Sequence, residues 1–191
     1  VNIQELYPTL LVDLKYSTTD NFMETDVYGE LEICYMRKIP GKMLVKAHDL
    51  LKKNHPDLRL LIYDGLRPRS IQWILWNTLI DVPESERSNF VANPKSGSIH
   101  NFGAAIDLTV TTKDGIPLDM GTHYDYFGKL AFPRLEDSLL VVGDLTLEQV
   151  SNRDILRDAM TGAGFGTIST EWWHFNAFPY KITKQMFSII E

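Results

Sequence analysis

Hydrophobic side chains along this sequence come in short runs and one-sided stripes, separated by polar segments marked with glycine and proline. Leu10 to Leu14 is an apolar run of strand length, followed from Ser17 to Tyr28 by polar turn chemistry. After Gly41, the residues Met43, Leu44, Ala47, Leu50 and Leu51 recur at helical spacing. Asn54-His55-Pro56 closes that helix, because proline disfavours a helical residue before it. Leu60 to Tyr63 reads as a buried strand, Asp64-Gly65 as a turn, and Pro68 as the opening of a helix to about Ile80. Asp81 to Ile99, rich in Ser and Asn, predicts a long surface loop of the kind used as a lid or binding segment. In the strand from Ala104 to Thr111, Ala104, Ile106, Leu108 and Val110 alternate with Ala105, Asp107 and Thr109. The first set is expected to face the core, the second an open cleft. An irregular section marked by Gly115, Pro117 and Gly121 comes next. Leu147 to Ala163 then predicts a helix broken by glycines, Trp172 to Phe175 a strand, and Lys181 to Ile190 a closing helix. Strands and helices do not alternate strictly, so the pattern predicts an α+β fold with a mainly antiparallel sheet flanked by helices. No boundary divides residues 1–191, which read as a single domain.

Composition narrows the chemistry more than the fold. A content of 44% hydrophobic and 23% charged residues is that of a soluble globular chain, long enough to bury a core without disulfides. Cys34 is the only cysteine, which excludes both a disulfide within the chain and a thiolate metal cluster. Any metal must therefore sit on histidine and carboxylate. The formal net charge of -6, with Lys and Arg scattered, argues against nucleic acid as a partner. No stretch approaches the roughly 20 apolar residues of a membrane span. The chain starts at Val1, so removal of an export signal is open, and with it the choice of cytoplasm or periplasm.

Two segments carry the candidate chemistry. In Ser98-Ile99-His100-Asn101-Phe102-Gly103-Ala104-Ala105-Ile106-Asp107, a carboxylate sits mid-strand among apolar neighbours, which is costly unless something pairs with it. A zinc ion is one such partner; a hydrogen-bonded histidine is another. His100 lies an odd number of residues before Asp107, so a continuous strand would put them on opposite faces, and Gly103 offers the bend that reunites them. Thr170-Glu171-Trp172-Trp173-His174-Phe175 adds a third ligand and a second carboxylate. Here His174 is expected on the strand and Glu171 on its entering turn, curled towards the same ion. His100, Asp107 and His174 as ligands leave the fourth position of a tetrahedral zinc for water. Zinc lowers the pKa of such a water to about 7, within reach of Glu171 as base. The competing reading makes Glu171 a surface residue and His174 a core residue packed by the tryptophans.

The pattern S-x-H-x-x-G-x-A-x-D at 98–107, followed by E-W-W-H at 171–174, resembles the M15-type zinc peptidases, and among them the D-Ala-D-Ala dipeptidases of the vancomycin-resistance type. Asp13-Leu14-Lys15-Tyr16, Thr19-Asp20-Asn21-Phe22, Tyr63-Asp64-Gly65-Leu66-Arg67-Pro68, Met120-Gly121, Tyr124-Asp125-Tyr126 and Gly162 to Phe165 also fit. The resemblance implies a hedgehog-like fold with a zinc cleft, one catalytic Zn2+ on His100, Asp107 and His174, and Glu171 as general base and then general acid. It further implies Arg67 at the oxyanion, Asp125 at the substrate ammonium, and Tyr16 and Ser98 lining the cleft. The implied reaction is hydrolysis of the small D-Ala-D-Ala dipeptide. Rivals are a carboxypeptidase or endopeptidase on longer cell-wall peptides, and a non-catalytic zinc-stabilised binding module. Asn101, Phe102 and the loop from Pro83 to Lys95 depart from the family pattern beside the expected cleft. His48 is expected on its helix, His55 in a turn, His123 at the cleft rim, and Cys34 as a small buried hydrophobe.

Overall fold

A computed structural model describes residues 1–191. Its elements are helix α1 (Ile3–Leu6), strand β1 (Leu11–Val12), α2 (Lys38–Asn54), β2 (Leu58–Asp64), α3 (Arg69–Thr78), β3 (Ala105–Thr112), α4 (Glu136–Val142), α5 (Leu147–Ala163), β4 (Gly166–Thr167), β5 (His174–Asn176) and α6 (Tyr180–Met186). The strands form one sheet in the order β1-β2-β3-β5-β4. Only β1 and β2 run parallel; the other pairs are antiparallel. The architecture is thus α+β with a mainly antiparallel sheet. None of its helices is long and apolar enough to cross a membrane.

Local chemistry explains the strongest elements. α5 opens on a capping box, Thr146 and Gln149 satisfying each other's backbone N–H, and ends on Gly164 in the left-handed region. α2 starts at Lys38, earlier than the apolar stripe predicts, and takes Gly41 into its first turns. A β-carbon there would meet Val1 and Ile3 side-chain atoms at 3.1 and 3.2 Å, so glycine lets the N-terminal segment lie against the helix. Leu44, Ala47 and Leu51 of α2 join Leu156, Ala159 and Met160 of α5 and Leu60, Ile62, Leu108 and Val110 of the sheet in one core.

Two expectations need correction, and three short elements carried no signal. The closing helix is α6, which stops at Met186 because Phe187 turns extended. The short α1, α4 and β4 lack the length to show as a period. Of the cleft-facing set of β3, Asp107 borders the cavity as expected, whereas Ala105 and Thr109 are buried away from it. The irregular segment after β3 reaches this face through Tyr124, whose hydroxyl donates to Asp107 at 2.9 Å. Arg153, itself buried on α5, pins that segment by donating to the Met120 and Leu130 carbonyls, both at 2.8 Å.

Cys34 is buried in this core as expected; His48 lies on α2 as expected, with its side chain also fully buried. Burial, with Lys52 and Arg59 nearby, lowers the His48 pKa from 6.5 to about 4, and its Nδ1 accepts from the Leu60 N–H at 3.4 Å. The folded-state pKa lies below the unfolded one, so between these values the unfolded chain binds the extra proton. Stability therefore falls as pH drops through 6.5 towards 4. The His48 share is about 2 kcal/mol between pH 7 and pH 5. Denaturant titrations at the two pH values should show that loss in the wild type and much less of it in His48→Asn.

Candidate metal centre and active site

The sheet and one tight turn assemble the three ligand candidates. A register shift between Ile62 and Asp64 brings Asp64 opposite Asp107, and Asp107 is also opposite His174 on β5. Ser98 and Asn101 close a capping box around the 3₁₀ turn Ile99–Phe102. Gly103 then takes φ 68°, a left-handed conformation, and folds His100 back over β3. The result places His100 Nε2 3.2 Å from His174 Nδ1 and 3.3 Å from Asp107 Oδ1, with His174 Nδ1 2.9 Å from the same oxygen.

Each outer atom of these side chains is already engaged. His100 Nδ1 lies 2.7 Å from the Gly65 carbonyl and His174 Nε2 2.9 Å from Asn176 Oδ1, both acceptors, so each of these nitrogens carries a proton and donates it. Asp107 Oδ2 accepts from the Tyr124 hydroxyl at 2.9 Å. With both imidazoles neutral, three lone pairs face one another across a small gap. Tetrahedral zinc with bonds of about 2.0–2.1 Å sets ligand atoms about 3.3 Å apart, close to the spacing here. The donor set therefore fits a zinc-sized cation. Asp107 is held far below the ordinary carboxylate range by His100 and His174 despite its burial. Burial opposes a charged His174, but Asp107 and then Glu171 push its pKa up to about 9.

Glu171 stands beside the cluster, its Oε2 3.9 Å from His174 Nδ1, and keeps 33% of its side-chain surface open to the cavity. Burial raises its pKa, partly opposed by His174. The cavity, about 570 Å³, runs from these groups past Arg67, Tyr16 and Asp125. Three aromatic rings from separate loops line it edge to face, Phe127 lying 5.0 Å from Phe22 and 5.4 Å from Phe90 between ring centroids.

Sequence comparison places this site in a family. The M15 peptidase family described as D-ala-D-ala dipeptidase matches residues 1–190. The D-alanyl-D-alanine dipeptidase of Escherichia coli K12 is 32% identical over 98% of this chain and 91% of its own length. Those of Enterococcus faecium and Streptomyces coelicolor are 31% and 30% identical, over 85% and 91% of this chain and 83% and 88% of their own lengths. The chain belongs to the D-Ala-D-Ala dipeptidase family.

Within this D-Ala-D-Ala dipeptidase fold, the remaining expected residues take distinct positions. Arg67, buried, donates from Nε and Nη2 to Asp64 Oδ2 at 2.8 and 2.5 Å and from Nη1 to Gln72 Oε1 at 3.1 Å. Its guanidinium stacks 4.8 Å above the Tyr16 ring. Asp125 sits at φ 58°, strained for a residue other than glycine, and accepts from the Tyr16 hydroxyl at 2.9 Å. Burial and the nearby Asp107 raise its pKa well above the ordinary value. Ser98 lines the cavity, but its hydroxyl already accepts from the His100 N–H at 3.3 Å.

Asn101 and Phe102 do not border the cavity, contrary to expectation; Asn101 instead donates to the Arg67 carbonyl at 2.8 Å. Of the departing segments, only the loop contributes walls, through Ser88 to Ala92. His123 lies in a separate pocket with Lys15 and Tyr124 rather than at the cleft rim. Residue patterns missed Asp64, Gln72, Tyr124 and Asn176. Asp64 had a signal, a carboxylate ending an apolar strand three residues before an arginine. Tyr124 lay in a segment already matched to the family pattern, while Gln72 and Asn176 carried no signal of their own.

Proposed function

We propose that the protein hydrolyses the D-Ala-D-Ala dipeptide, with a catalytic zinc ion held by His100 Nε2, Asp107 Oδ1 and His174 Nδ1. The observation that carries this is the convergence of three ligand-type donor atoms beside the carboxylate of Glu171, at the wall of the cavity. When bound, zinc supplies a Lewis acid and lowers the pKa of water. Glu171 takes the proton of the attacking water, holds it on a carboxylate oxygen and delivers it to the leaving amine. Three of the five N–H donors of Arg67 are spent on Asp64 and Gln72, which leaves two for the oxyanion that grows on the scissile carbonyl. Replacing Arg67 by Lys removes the fork and its second contact to Asp64, and should lower kcat by about 10²-fold with little change in zinc content.

Asp125, oriented by Tyr16, is the group for the substrate's free ammonium; a cation there supports the charged carboxylate that burial disfavours. The decisive assay compares kcat/KM on D-Ala-D-Ala and on N-acetyl-D-Ala-D-Ala. A drop of at least about 10²-fold on blocking the amine is expected from an unpaired buried carboxylate. Comparable rates would instead support the second reading, cleavage of longer cell-wall peptides, which the room in the cavity favours. A non-catalytic zinc module would turn over neither, and the placement of Glu171 argues against it, since a structural ion needs no base.

A further inference from the structure

Asn176 has no part in the reaction as written above, yet it touches the site on two sides. It lies two residues beyond His174 on β5, its backbone paired with both Ala105 and Gly166, so the sheet fixes where its side chain starts. Its Oδ1 receives the His174 Nε2–H at 2.9 Å. The matching contact for His100 goes to a backbone carbonyl, that of Gly65, at 2.7 Å. The two imidazoles thus turn opposite nitrogens to the cluster, Nε2 of His100 and Nδ1 of His174, and only the second depends on a side chain for that choice.

The amide of Asn176 is committed in turn. Rotating it would set an N–H₂ against the His174 N–H, so Oδ1 stays inward and Nδ2 points away. Nδ2 has no hydrogen-bond partner in the protein, is not among the buried unsatisfied groups, and belongs to a residue lining the cavity. We infer that Asn176 is a positioning residue for zinc through His174, and that its Nδ2–H₂ donates to the carboxylate end of the dipeptide. The first half needs only the metal; the second rests on the proposed dipeptidase reading.

The two halves separate in two variants, Asn176→Leu and Asn176→Asp, with matched circular dichroism as the check on folding. Zinc affinity is read by competition with a chromophoric chelator, using the metal alone. Asn176→Leu, which has no acceptor, should weaken zinc binding about 10–100-fold, whereas Asn176→Asp, which keeps one, should bind zinc at least as tightly as the wild type. At saturating zinc, Asn176→Asp should raise KM for D-Ala-D-Ala about tenfold or more, by setting a carboxylate against the substrate's own. That penalty should shrink on D-Ala-D-Ala amide, which lacks the charge.

Zinc affinity in Asn176→Leu within threefold of the wild type would overturn the positioning role, and would do so whether or not the enzyme turns over. An unchanged KM in Asn176→Asp, or an equal penalty on the amide, would overturn the carboxylate contact. If Asn176→Leu does not fold, Asn176→Ala reads the same zinc arm. Failure of the wild type to cleave D-Ala-D-Ala removes the second half together with the proposed function and leaves the zinc result standing.

Discussion

Glu171→Gln is expected to lower kcat on D-Ala-D-Ala by about 10³–10⁴-fold, the upper end for loss of a general acid–base group. The upper end applies because one carboxylate takes the proton and later returns it, so a single change removes both transfers. Glutamine keeps the shape and fills the same wall of the cavity, so binding should survive. Its Oε2 counterpart, 3.9 Å from His174 Nδ1, lies outside the ligand triangle, and zinc content should stay at that of the wild type. Metal analysis beside steady-state kinetics checks both halves. A glutamine variant with full zinc and more than a tenth of the wild-type kcat would remove Glu171 from the mechanism.

The second large effect is loss of the cation itself. Dialysis against a chelator should abolish turnover, and zinc should restore it. The same addition should stabilise the fold, because the three proposed ligands come together only in the folded chain. At about 1,000 times its dissociation constant, zinc contributes about 4 kcal/mol, a rise in Tm of roughly 10 °C for a domain of this size. His174→Ala should lose the turnover and the zinc-dependent shift together. His123→Ala, outside the cavity, should lose neither. A zinc-independent Tm in the wild type, with turnover intact after chelation, would refute a resident metal.

How much of this was legible beforehand depended on whether the information was local. The stripe in α2, the alternation in β3 and the glycine stop after α5 are short-range patterns, and those elements lie where the pattern puts them, give or take a turn. Local patterns failed where packing overruled them. β3 alternates as a strand with one open face would, yet on that face only Asp107 borders the cavity, while Ala105 and Thr109 are buried. Asn101 read as a departure beside the cleft and instead braces the Arg67 backbone.

The linear chain determined the donor chemistry. One buried cysteine leaves metal binding to histidine and aspartate, and Gly103 supplies the bend that His100 needs. Which atoms meet was decided only by tertiary structure. The shifted register sets Asp64 and Asp107 side by side with Arg67 between them, and Gly65 and Asn176 choose the nitrogen each imidazole presents. The physical reason is that the register and the Gly65 contact to His100 depend on partners distant along the chain, while Asn176, two residues from His174, is held in place only once the sheet fixes its strand.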